Sequence, residues 1–241
     1  MSDKPTLTIA HLYANEMNIY GDRGNILALT KRLQWRGYGF NVVEVGVGDE
    51  YDLTNADIVF AGGGQDSGQL LVGEDLLKRV KNVREAVEGG VVMLTICGTY
   101  QLFGRWFLTL EGEKIPGLAI FGAETVGTTK RMIGNLVVDS PWGKLVGFEN
   151  HSGQTELDSD QPSLGMAIKG FGNNDHSKQE GAVINNAYGT YLHGPVLPKN
   201  PHFTDHLLRT ALQRKYQKDI LTHLDDKLEL AAADVAAKRP Q

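Results

Sequence analysis

The chain's single cysteine lies in 94-LTICGTYQLFG-104, and one of its seven histidines lies in 189-GTYLHGP-195. A lone cysteine cannot close an intramolecular disulfide, and without further ligands beside it cannot build a thiolate zinc site. Cys97 is therefore either a small core hydrophobe, the usual fate of a buried cysteine, or a nucleophile. A nucleophile is best presented where a central strand turns at once into a helix, in a strained backbone with small neighbours. Gly98 supplies a small neighbour, and its N–H at the helix start can bind a developing oxyanion and favour a thiolate. A thiol of ordinary pKa is mostly protonated at neutral pH, so a base is expected as well.

His193 is the first candidate, because it ends a strand-like run just before Gly194-Pro195, where the chain must turn. His151, in 147-GFENHSG-153, is the rival. His11 falls in a strand, and His176, His202, His206 and His223 fall in polar or helical contexts that read as surface. Gly62-Gly63-Gly64 lacks the G-x-G-x-x-G spacing and does not follow the first strand, so it is not a dinucleotide loop. It reads either as a tight turn or as a backbone segment that offers a second oxyanion N–H beside Cys97.

These residues need a scaffold, and hydrophobic periodicity supplies one. Residues 6–13 read as a strand, and 21–37 as a helix with Ile26, Leu29 and Leu33 on one face, Asp22 as N-cap and Gly37 as C-cap. Strands follow at 40–45 and 56–64, a helix within 67–90 ends at Gly89-Gly90, and 91–97 is a continuous apolar run suited to the middle of a parallel sheet. The order βαββαβ predicts a parallel sheet with helical crossovers. Beyond 105, short β runs separated by Gly, Asn and Pro predict antiparallel additions to the same sheet. Phe203, Leu207, Leu208, Ala211, Leu212 and Tyr216 predict a helix near the end, and 224–241 a peripheral helical tail. With no Ser/Pro-rich linker, residues 1–241 are expected to form a single domain.

Composition excludes several functions. At 41% hydrophobic and 22% charged, the usage is that of a globular protein. A net charge of −5 with scattered lysines and arginines argues against nucleic acid, and no segment has the length of apolar residues needed to span a bilayer. The lone, reduced cysteine and the absence of a signal-like start favour the cytoplasm.

Taken together, 96-ICGTYQ-101 and 191-YLHG-194 resemble the elbow and histidine motifs of class I glutamine amidotransferases, in their cobyric acid synthase-like branch. Thr99 departs from that pattern, where glycine is usual. A finer resemblance runs almost end to end: 17-MNIYGDRGNILAL-29, 60-FAGGGQD-66, 147-GFENHSGQT-155, 170-GFGNND-175 and 189-GTYLHGPVLPKNP-201 are similar to the GatD family of glutaminase subunits of lipid II isoglutaminyl synthases. The resemblance implies an α/β, flavodoxin-like fold with a central, mostly parallel sheet, flanking helices and antiparallel strand additions.

It also implies glutamine hydrolysis, with Cys97 attacking the side-chain amide and His193 passing a proton to the leaving ammonia. The N–H groups of Gly63 and Gly98 would hold the oxyanions, Arg131 of 128-TTKR-131 the glutamine α-carboxylate, and Gln101 a weaker substrate contact. Arg131 reads equally as a solvated loop residue. A MurT-like Mur ligase subunit would form a heterodimer with the chain, receive the ammonia and amidate the D-glutamate of lipid II. ATP and magnesium would sit on that partner, leaving no cofactor and no metal in this subunit.

Many members of the class carry an acid two residues after the histidine, but position 195 is proline. The third triad member is thus expected to be missing or to come from the partner, which makes the isolated chain a poor glutaminase. Three other readings stand beside this one: a cobyric acid synthase-type amidotransferase, a γ-glutamyl cysteine hydrolase and a non-catalytic binding subunit.

Overall fold

The computed structural model describes residues 4–18, 21–64 and 66–239. Ile19 and Tyr20 of the 17–29 motif, Gln65 of the 60–66 motif and the last two residues of the expected tail lie outside the described residues. The elements run β1 (Thr6–Leu12), α1 (Arg23–Trp35), β2 (Gly39–Val45), β3 (Ile58–Ala61), α2 (Asp66–Lys78), α3 (Val80–Glu88), β4 (Val92–Ile96) and α4 (Gly98–Phe103). They continue with β5 (Trp106–Leu108), β6 (Lys114–Pro116), β7 (Ala123–Ser140), β8 (Gly143–Leu157), β9 (Gly165–Lys169) and β10 (Gln179–Glu180). The chain then forms β11 (Ala182–Ile184), β12 (Ala187–Thr190), α5 (Pro201–Tyr216) and α6 (Lys227–Ala237).

The first sheet has the order β11-β12-β4-β3-β1-β2. Every pair from β12 to β2 is parallel, and β3 and β4 are buried along their whole length, as their unbroken apolar runs require. Register aligns Ala61 with Thr95 and Ile96 with Thr190. Three carboxyl ends therefore lie side by side, and the segments that leave them begin at Gly62, Cys97 and Tyr191. In open parallel sheets this edge is where ligands bind.

The later β runs depart from the expectation of additions to one sheet. Only β11 joins the first sheet as an antiparallel strand. The others build a second sheet of order β10-β9-β7-β5-β6, with β8 on β7. Its longest ladder is local, the β7–β8 hairpin from Ala123↔Leu157 to Ser140↔Gly143. These strands find partners nearby in sequence, and the chain returns to the first sheet only after β10, through β11 and β12. A mutual hydrogen-bonded bridge between Phe148 of β8 and His193 ties the two sheets together at the carboxyl edge. Buried apolar side chains of both sheets belong to one hydrophobic cluster.

The helical expectations hold with two changes. The segment 67–90 is two helices meeting at Arg79, the second closed by Gly89. Gly37, at φ +71°, follows α1 as the predicted stop. Asp22 occupies the N-cap position of α1, but its side chain caps nothing there. The predicted apolar stripe of α5 is buried from Phe203 to Leu212, whereas α6 has no buried residue. Among the described residues, no helix is long and apolar enough to cross a membrane, and no cluster of His, Cys, Asp and Glu is arranged to hold a metal.

Candidate active site

Cys97 sits between β4 and α4 with φ at +50°, a backbone conformation that a side-chain-bearing residue adopts only under strain. Its N–H donates to the Thr190 carbonyl at 2.8 Å, which fixes the turn against the end of β12. Three residues further along β12's exit, His193 is fully buried, and its N–H donates to the Phe148 carbonyl at 2.7 Å. Gly194, at φ +86°, then turns the chain away.

Gly63 is the point on which the site converges. A Cβ built there would lie 2.8 Å from Cε1 of His193, 3.3 Å from Cβ of Cys97 and 3.5 Å from a carboxylate oxygen of Asp22. No other residue type fits without displacing the histidine. The neighbouring glycines are equally confined, since a Cβ on Gly62 would meet the Met17 carbonyl at 2.3 Å and one on Gly64 the Met17 sulfur at 2.2 Å. The run 62–64 is therefore a close backbone approach, not an ordinary turn. Thr99 secures it: its fully buried hydroxyl donates to the Gly62 carbonyl at 2.6 Å, a bond that glycine at this position could not make.

Asp22 was legible only as a helix cap, yet its carboxylate points into this site. Oδ1 lies 3.6 Å from Nδ1 of His193, and Oδ2 accepts the Gly63 N–H at 2.7 Å. The place behind the histidine that proline at position 195 leaves open is thus occupied from within the chain. In this arrangement the Gly63 N–H, expected as an oxyanion donor, is held by that carboxylate. Gly98, as the first residue of α4, has an N–H with no intrahelical acceptor.

Electrostatics couple the pair. Burial opposes charge on the His193 ring, but the charge of Cys97 and hydrogen bonds to Asp22 and Cys97 outweigh it and push the imidazole up to about 10. A ring that keeps its proton beside the Cys97 sulfur has one to give to a leaving group. His151 is set differently. It stacks on Tyr191 with ring centroids 3.6 Å apart, and Nδ1 bonds the Gly153 carbonyl at 2.9 Å, so that nitrogen carries the proton. Burial lowers its pKa and keeps it neutral.

Gln101 lies in a buried relay. It accepts from Gln69 at 2.8 Å and donates to the Tyr191 hydroxyl at 3.0 Å, which in turn meets Thr155 at 2.7 Å. The relay links α2 and α4 to the β7–β8 ribbon. Arg131 is exposed at the irregularity of β7 between Gly127 and Met132, with Nε on the Asn150 side chain at 2.6 Å. It sits next to the Met132↔His151 register position, not against Cys97.

A strained cysteine lies at the carboxyl edge of the parallel sheet, with a buried histidine and carboxylate around a glycine backbone, and the fold that carries them is that of the class I glutamine amidotransferases. Residues 8–201 match the CobB/CobQ-like glutamine amidotransferase domain, and the chain belongs to that family. It is 41% identical over 234 residues, 97% of this chain and 96% of the relative, to the Staphylococcus aureus lipid II isoglutaminyl synthase (glutamine-hydrolyzing) subunit GatD. The Streptococcus pneumoniae subunit of the same name is 39% identical over 89% of this chain and 84% of its own length. A probable cobyric acid synthase of Methanococcus maripaludis is 31% identical, but over only 58% of this chain and 31% of that protein. The glutaminase domain of Trypanosoma brucei CTPS with bound acivicin shares the fold, at a TM-score of 0.55 and 11% identity over 86% of this chain and 94% of that one. The chain is a glutamine-hydrolysing amidotransferase.

Proposed function

We propose that the chain is the glutaminase subunit of a lipid II isoglutaminyl synthase. The supporting observation is that likeness to the two GatD subunits extends over nearly the whole chain, whereas likeness to the probable cobyric acid synthase covers little more than half. In this reading Cys97 attacks the carboxamide carbon of L-glutamine as a thiolate. The tetrahedral oxyanion is held by the Gly98 N–H, and His193 gives its proton to the nitrogen as ammonia leaves. Water then attacks the carbonyl carbon of the glutamyl thioester as one of its protons passes to His193, and the C–S bond breaks to release glutamate and return the Cys97 sulfur as thiolate. Arg131 holds the substrate α-carboxylate, its planar guanidinium suiting a two-oxygen anion.

Asp22 acts as the positioning residue for His193, in place of the acid expected to be absent or supplied by the partner. It also holds the Gly63 N–H, so the second oxyanion donor becomes available only when that bond is released. This gives a physical reason for a slow isolated subunit. A MurT-like Mur ligase partner receives the ammonia in the cytoplasm and amidates the D-glutamate of lipid II. ATP and magnesium act on that partner.

The deciding experiment measures glutamate release by the chain with and without a Mur ligase-like partner, and ATP-dependent amidation of lipid II by the two together. Stimulated hydrolysis with amidated product is expected. Amidation of a corrinoid acid in place of lipid II would move the chain to the cobyric acid reading, and hydrolysis without any ammonia transfer to the γ-glutamyl hydrolase reading. A glutamine-analogue electrophile should label Cys97 and leave Cys97→Ala unlabelled, and the opposite result would leave only a binding subunit.

A further inference from the structure

Beneath α6 lies a cavity of about 600 Å³, walled by the β7–β8 hairpin, β9 and the first turn of α5. Four cations line it, Lys144, Lys169, Lys199 and Lys238, against the single carboxylate of Asp234. The lysine ion pairs among the described residues involve Lys81, Lys130, Lys215 and Lys227, none of them in this cavity. In a chain of net charge −5 this is a local cationic excess, offset only by Asp234.

Two of the four ammonium groups are held by main-chain carbonyls alone. Lys199 donates to Gly194 at 2.6 Å and Pro195 at 2.8 Å, and Lys169 donates to Ala237 and Arg239 near the end of α6. Each ammonium has three donors, so each has one more to give. Burial, and after it the charge of Arg239, lowers the Lys199 amine to about 8. The remaining wall is apolar, with Trp142, Leu145, Ile168 and Leu230 prominent. Apolar surface lined by a few charged side chains is the make-up of a small-molecule site. Point-charge ammonium groups in this number suit a dianion, whereas a single carboxylate is matched better by a guanidinium fork.

We propose that this cavity binds a small organic phosphate, its phosphate among the four lysines and its body on Trp142 and Ile168, and that the site communicates with the catalytic histidine through Lys199. The link is short, because Lys199 holds the carbonyls of the two residues that follow His193. A ligand that draws on the Lys199 charge alters the hold on that turn.

The test is calorimetric titration of the full chain with phenyl phosphate and with inorganic phosphate, in the natural sequence and in a Lys144→Gln, Lys238→Gln double variant. Both substituted lysines are exposed and stand outside the Cys97 site. Saturable binding of phenyl phosphate is expected, weakened about tenfold in the variant by loss of two partly solvated charges. Absence of saturable binding at millimolar concentration, or equal binding by the variant, overturns the site. Inorganic phosphate binding as tightly as phenyl phosphate overturns the organic part of the assignment. Glutamine turnover in the presence of phenyl phosphate is expected to change several-fold in the natural sequence and not in the variant. No change in either overturns the link to His193. Binding is read without turnover, so failure of the site and failure of the glutaminase reading are distinguishable.

Discussion

The carboxylate of Asp22 lies 3.6 Å from Nδ1 of His193, with both side chains fully buried. One oxygen faces the ring and the other holds the Gly63 N–H, so a single residue from the loop before α1 bears on both the His193 ring and the glycine backbone. Asp22→Asn keeps the shape and removes the charge. Turnover is expected to fall by about 10²- to 10⁴-fold, as when an orienting acid is neutralised in related triads. Since Asp22 raises the His193 pKa, the basic limb of the rate profile should also move toward neutral pH. A profile with an unmoved limb would remove Asp22 from the histidine's support.

The pH profile of the natural sequence follows from the same pair. The His193 pKa is raised from 6.5 to about 10, so in the proposed mechanism the proton for the leaving ammonia is retained well into the alkaline range. kcat/KM is expected to lose its basic limb only near pH 10. The corresponding contribution to stability is fully present below pH 6.5 and lost as pH rises through about 10. Rate profiles and urea unfolding at several pH values check the two halves separately.

Gly63→Ala tests the close approach. Its methyl group would sit 2.8 Å from the His193 ring, which must move. A stability cost of about 1–3 kcal/mol is expected from overpacking. Displacement of the ring by a few tenths of an ångström up to ~1 Å should lower kcat by about 10²-fold. Near-natural kcat in a folded variant would show that the loop yields and the histidine does not.

Thr99→Val removes the hydroxyl that binds the Gly62 carbonyl while conserving shape. Leaving that carbonyl unpaired should cost about 1–3 kcal/mol in denaturant unfolding, with Thr99→Ser restoring most of it. Equal stability of the valine and serine variants would mean that the bond adds nothing.

Arg131→Lys keeps the charge but loses the planar fork. KM for glutamine is expected to rise about tenfold with kcat little changed, since a ground-state contact is weakened. A fall in kcat alone would place Arg131 in the chemical step and not in substrate binding.

Much of the scaffold was legible because its elements are written in local periodicity. The apolar runs of β3 and β4, the stop at Gly37 and the stripe on α5 each reflect a pattern within a dozen or so residues. Cys97 could be singled out by its uniqueness and its strand-to-helix setting, and His193 by its position before a turn. The second sheet was not legible, because strand partners are chosen by ladder pairing between segments and the same β runs are compatible with either sheet. Asp22 escaped for a related reason. An aspartate before a helix is the usual sign of a cap, and nothing along the chain distinguishes a carboxylate that caps from one that turns inward.

The sequence by itself determined the setting of Cys97, the alternation of strands and helices, and a set of motifs that places the chain among glutamine amidotransferases. Only the tertiary structure decided what surrounds Cys97. Parallel register at β3, β4 and β12 brings residues 62–64, 97 and 191–193 to one edge, and the loop before α1 folds over them with Asp22. Distances across strands depend on register and on the path of connecting segments. Those are properties of the whole packed chain, and no stretch of it carries them alone.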